Sequence, residues 1–278
     1  MSRTMAMTTD AGVPVQKHVP PPHQLSFAGL VRGELIKLLT ARSLVTLSVL
    51  TVLCTAGISI PVAVTTDPKA AQSATQALPN FIDTTLLGMQ LSILLVAVLS
   101  AVAGASDFGN GTIRAAFAAA PRRTPVLAAK LTVIAGITTV LVSATLLLTA
   151  VVTWLALTPG PLWTPATSST SLLSLAGAVI ATAAVSVSAV SLGCILRSSG
   201  RAISAILGLL IVVSIAMMAI PPQILAPDFS RYVFGEAVTI LLGTADSIGK
   251  WIGAVVALVA WSAAFTAWAS ASMRRRDV

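Results

Sequence analysis

The sequence predicts an all-α polytopic membrane protein with six transmembrane helices and both termini on the inner side. Three observations predict this. First, the 278 residues are 56% hydrophobic and only 9% charged, whereas a soluble domain carries about a quarter charged residues. Second, apolar runs of about 20 residues recur, each long enough to cross a hydrocarbon layer of ~30 Å as a helix. Third, basic residues gather in alternate intervals between the runs. Of the 17 Lys and Arg, only Lys69, Arg231 and Lys250 fall outside when the chain starts inside, as the positive-inside rule demands.

Residues 1–25 lack the apolar core of a signal peptide and carry Pro14 and Pro20 to Pro22. They read as a disordered cytoplasmic tail, and His18 and His23 within it carry no metal-ligand pattern. Residues 26–43 follow as an interfacial helix. Phe27, Leu30, Val31, Leu35, Leu38 and Leu39 recur at helical spacing, with Arg32, Gly33, Lys37 and Thr40 on the other arc, the pattern of a helix lying in a membrane interface. Glu34 breaks the apolar stripe. Either it pairs with Lys37 at i,i+3 or snorkels, or it docks on a partner or on the next helix.

The rest, 44–278, reads as one six-helix transmembrane domain with spans at about 44–64, 84–104, 129–157, 172–196, 202–221 and 250–271. Pro61 is expected to kink or end the first. Trp154, Trp163 and Trp251 fall at the outer interface and Trp268 at the inner one; Trp261 is mid-span, where packing is its role. Cys54 and Cys194 lie inside apolar runs without ligand spacing and read as small buried residues. Gly177 and Ala181 form a small-xxx-small pair. Gln90, the most polar residue deep in the second span, either lines a pathway or bonds to a neighbouring helix.

Two features lie off the spans. In residues 104–130, "GASDFGNGTIRAAFAAAPRRTPVLAAK", Asn110-Gly111-Thr112 is a turn and Thr112 caps a short helix over 113–120 that Pro121 stops. Ile113 and Phe117 share a face, Arg114 flanks it, and Asp107 precedes it. That face either fills a groove on a soluble partner or dips into lipid. Between the last two spans, "YVFGEAVTILLG" over 232–243 is too short to cross and reads as an outer re-entrant or interfacial segment. Glu236 within it is either an outer gate or merely exposed.

No Asp, Glu, Arg or His lies deep in a predicted span, and Lys130, at the inner end of the third, is placed to snorkel. The chain shows no nucleophile with a base, no metal set and no G-x-x-x-x-G-K-[ST] phosphate loop. It therefore shows no catalytic residues and no energy source of its own. The net charge of +8 is read as topology signal and attraction to anionic lipids, not nucleic-acid binding.

The chain resembles the permease subunits of ATP-binding-cassette (ABC) exporters of the ABC type-2 class, in their short actinobacterial form. The resemblance rests on "RGELIKLLTARS" before the first span, "SDFGNGTIRAAFAAAPRRTPVLAAK" after the second, the broken outer segment, and the "RRRDV" ending. It implies that 26–43 is an elbow helix, with Glu34, Lys37 and Arg42 on it. It implies that 112–120 is a coupling helix seated in an ATPase groove through Asp107, Thr112, Ile113, Arg114 and Phe117. Asp107 stands where relatives often have Glu, Lys130 matches the Lys that opens the third span, and Ala120-Pro121-Arg122-Arg123 replaces a Ser-Pro-x-x-Arg-like pattern.

The resemblance further implies a multi-pass plasma-membrane exporter that dimerises with itself or a homologue and binds cytoplasmic ABC ATPase subunits. ATP and Mg would belong to the partner, with no cofactor on this chain. The cargo path would follow the second and fifth spans, and a drug, antibiotic, peptide or lipid would suit its interior. The alternatives are a non-transporting sensor or immunity subunit on the same fold, and an ion-coupled secondary transporter.

Overall fold

The computed structural model describes residues 26–65, 81–109, 123–157, 169–219, 232–243 and 247–275. Among these the elements are helices α1 (Phe27–Thr40), α2 (Arg42–Thr65), α3 (Phe81–Leu86), α4 (Met89–Gly109), α5 (Arg123–Leu157), α6 (Ser169–Leu196), α7 (Ser199–Leu207), a π-helical segment (Gly208–Val212), α8 (Val213–Met218), α9 (Phe234–Leu242) and α10 (Ile248–Arg275). Six stretches are long and apolar enough to cross a membrane: Arg42–Thr65, Ile82–Phe108, Thr124–Ala156, Ser171–Leu196, Ser199–Met217 and Ile248–Arg274. Their outward faces carry apolar side chains, Leu147, Leu155, Val256 and Val259 among them. By length, composition and surface, the chain is a multi-pass membrane protein. The tail 1–25 and the expected helix 113–120, with Thr112, Ile113, Arg114 and Phe117, lie outside the described residues, as does Trp163.

The six helical stretches coincide with the six apolar runs, but their ends differ. The first does not stop at Pro61; α2 continues to Thr65. The second begins earlier and is broken into α3 and α4 by a turn at Leu87-Gly88. There Ser59 accepts from Gly88 N at 3.1 Å and donates to the Thr85 carbonyl at 3.1 Å, so α2 satisfies backbone groups the turn frees. A side chain at Gly88 would collide with the backbone of Thr55.

Contacts between neighbouring helices fix how they run. Ser59 meets Gly88 while Ser92 bonds across to Thr55, so α2 and α4 are antiparallel. Ser100 meets Ser186 at 2.8 Å while Gly104 abuts Val190, so α4 and α6 are parallel. Ser188 meets Ser262 and Ser191 meets Thr266, making α6 and α10 parallel too. Thr138 of α5 donates to Ser186 at 3.0 Å and ties a third helix to the same point. The central helix is α6, which touches α4, α5, α7, α9 and α10. Its run of Ser, Ala and Gly lets these neighbours approach closely. Gly177 is spent on α9, whose Leu241 carbonyl its missing side chain admits.

The α9 helix packs on α6, α10 and the π segment. Trp261 performs the packing role expected of it: it stacks on Phe265 at 5.6 Å, meets Phe234 edge-on at 6.4 Å, and donates Nε1 to the Tyr232 carbonyl at 3.0 Å. The indole N–H of Trp251 is also spent inside the protein, on the Leu173 carbonyl at 3.1 Å.

Candidate functional site: a charge cluster at one end of the bundle

The helix α1 is capped by Ser26, whose hydroxyl accepts from Gly29 N at 3.2 Å, and it is separated from α2 by one extended residue, Ala41. The sequence expects a single apolar stripe along it. The structure divides that stripe. Glu34 and Leu38 are buried against the bundle, while Phe27, Leu35, Ile36 and Leu39 are exposed. The cause is Glu34 itself, whose partners lie on the inward side.

Those partners complete a four-membered ring of alternating charge. Lys37 Nζ lies 2.7 Å from Glu34 Oε1 and 3.3 Å from Asp107 Oδ1. Lys130 Nζ lies 3.2 Å from Glu34 Oε2 and 2.8 Å from Asp107 Oδ2. Each carboxylate thus bridges both ammonium groups, and among the described residues two positive charges balance two negative ones. Lys37 is half exposed on its outer side; the other three side chains are at most 10% exposed. Lys130 also donates to the Ala103 carbonyl at 3.2 Å, which occupies a third donor of its ammonium. Buried charges are tolerated when paired and hydrogen-bonded in this way.

Both readings of Glu34 therefore hold together: it pairs with Lys37 along its own helix and also docks on the next helices through Lys130. The expectation for Lys130 is corrected. It does not snorkel, because two carboxylates and a carbonyl supply inside the protein what the interface would otherwise supply. The expectation that no acid lies deep in a span stands for Asp107, which is the next-to-last residue of the stretch Ile82–Phe108. Lys130 falls inside the third span as predicted, and Asp107 falls within a helical stretch because α4 runs on beyond the predicted limit of residue 104.

Other residues singled out from sequence stand apart. Arg42 is exposed at the first residue of α2. Gln90 is exposed at a cleft of about 380 Å³ between α4, the π segment and α9, lined also by Leu94, Leu210, Ile211, Val238 and Thr239. Glu236 is half-buried in the first turn of α9, where a carboxylate complements the helix dipole. Cys54 and Cys194 are free thiols, and only Cys194 is buried. Among the described residues no group of three or more His, Cys, Asp or Glu is placed to hold a metal.

Sequence reasoning placed Glu34, Lys37, Asp107 and Lys130 on three separate segments and joined only the first two. A signal for the rest was present: acids and lysines, scarce in this chain, each lie next to an apolar run. What the cluster can do is mechanical. It fastens α1 to the last turn of the helix entering segment 110–122 and to the second turn of the helix leaving it. No protein-family model and no curated protein matches the chain.

Proposed function

We propose that the chain is the permease subunit of an ATP-driven exporter of the ABC type-2 class, with N- and C-termini cytoplasmic and the charge cluster at the cytoplasmic end. In this reading, segment 112–120 docks on a separate ATPase and α1 is the elbow helix. The observation that supports it is the position of the cluster. A force applied to segment 110–122 reaches Asp107 and Lys130 first, and through them α1, as a coupling loop requires. The chain would act as a dimer, with an amphiphilic or hydrophobic cargo passing along the second and fifth spans. Gln90 would lie on that path, Glu236 at its outer gate, and ATP and Mg in the partner.

The test is stimulation of a co-purified ATPase. Reversing Arg114 to Glu together with Phe117→Ala is expected to abolish substrate-stimulated hydrolysis while membrane insertion and folding are kept. Unchanged stimulation defeats the docking helix, and failure of any ATPase to co-purify defeats the class.

One observation favours a second reading. Ionisable groups inside membrane helices mark ion relays, and Asp107 and Lys130 meet that description. In an ion-coupled transporter, uptake into vesicles would follow an imposed ion gradient without ATP and would be lost in Asp107→Asn.

A further inference from the structure

The joint between the fourth and fifth spans is two residues long, Arg197 and Ser198, between the end of α6 and the start of α7. Arg197 has φ of 51°, alone in the positive region among the described non-glycine residues. Glycine or asparagine ordinarily ends a helix in that conformation, because a longer side chain is strained there. Such strain persists where the surroundings hold it, and it collects at switch points.

Here the surroundings are the last turn of α4. The Arg197 guanidinium carbon sits 5.2 Å from the centre of the Phe108 ring, a cation–π contact. One turn back, Gly193 lies so close to α4 that a side chain there would come within 2.7 Å of the Ala101 carbonyl. Cys194 Sγ donates to the Gly104 carbonyl at 3.5 Å. Arg197 Nε is buried without a hydrogen-bond partner, so the side chain is held by the ring at a cost in unmet bonding.

Phe108 follows Asp107 directly, and α7 runs from the joint to the π segment that lines the cleft beside Gln90. We propose that Arg197 and Phe108 form a latch: the ring holds Arg197 in its strained conformation, and withdrawal of the α4 end releases the joint and lets α7 turn against α6. The π segment, a one-residue excess in the helix, is where the displaced register is absorbed. The latch links segment 110–122 to the fifth span by a route separate from the charge cluster. It goes beyond the transport reading and does not depend on an ATPase.

The test uses the full chain in phospholipid nanodiscs on a Cys54→Ser background, with spin labels at Ile36→Cys and Ser204→Cys, both exposed positions. Cys194 is retained because it is only 1% accessible. The parent is expected to give one narrow distance by pulsed paramagnetic resonance. Arg197→Gly, which keeps the backbone conformation but removes the guanidinium, and Phe108→Leu, which keeps the apolar bulk, are each expected to broaden that distance or shift it by about 2 Å or more. An unchanged distribution in Arg197→Gly makes Arg197 a helix cap and overturns the latch. A change in Phe108→Leu alone makes the ring a packing element and overturns it equally.

Discussion

Removing one ammonium group from the ring of Glu34, Lys37, Asp107 and Lys130 leaves two carboxylates facing a single cation. The change matters most at Lys130, because Lys37 is half exposed and water can replace part of what it supplies. Lys130→Met is expected to destabilise the protein by about 3–5 kcal/mol, the usual result of leaving a buried charge without its partner. Adding Asp107→Leu restores neutrality among the described residues of the cluster, since Glu34 and Lys37 then remain as a pair. The double variant is therefore expected to recover most of the lost thermal midpoint in detergent, and a double variant less stable than Lys130→Met would disprove charge balance as the cause. This residue-scale arrangement was half legible. Glu34 and Lys37 are three residues apart on one helix, so the sequence offers their pairing as one of two readings. Lys37 and Asp107 are 70 residues apart, and nothing local to Lys130 reveals that two carboxylates await it; with no partner in view, an ammonium at a helix end is read as seeking water.

At the scale of elements, the contact between α4 and α6 depends on two glycines that face each other. Gly104 abuts the backbone of Val190, and Gly193 abuts that of Ala101 and Gly104. A methyl group at Gly104 has no flexible side chain to displace, only main chain, so the two helices must separate. Gly104→Ala is expected to cost about 1–3 kcal/mol, as overpacking does. Gly57 supplies the control: its position on α2 has nothing within 4 Å, and Gly57→Ala is expected to stabilise by roughly 0.5–1 kcal/mol through helix propensity. Thermal unfolding of the three proteins in one detergent checks both signs. If Gly104→Ala matched Gly57→Ala, the close approach would carry no energetic weight. The sequence marks α6 as a close-packing helix by its Ser, Ala and Gly content, yet it cannot assign each small residue to a neighbour. Gly177, read with Ala181 as a small-xxx-small pair that lets helices pack closely, receives the short α9. Pro61 is expected to kink or end its helix because its ring removes one backbone donor; α2 does not end there, since a single lost bond in a long apolar helix does not outweigh the rest.

For the whole molecule, the six spans were legible because a bilayer-length apolar run is a signal that needs no tertiary information. Span ends were less so: α4 extends past its hydropathy limit to Asp107, whose charge Lys37 and Lys130 offset, and no local signal shows that pairing. Sidedness belongs to this scale, and the charge distribution argues for it. The ends of α4, α6 and α10 that lie together carry Arg197 and Arg274, with Lys130 beside them, whereas the opposite ends carry Lys250 and little else that is basic among the described residues. Translocation retains basic segments on the inner side, so the cluster end is expected to be cytoplasmic. A reporter enzyme active only outside, fused after Thr167, is expected to be active, and one fused after Ser198 silent. The two fusions probe opposite ends of α6, the helix to which most others attach, so together they fix the orientation of the bundle and not of one loop. The reverse pattern would place segment 110–122 outside, beyond reach of any cytoplasmic ATPase, and would remove the proposed coupling along with the topology.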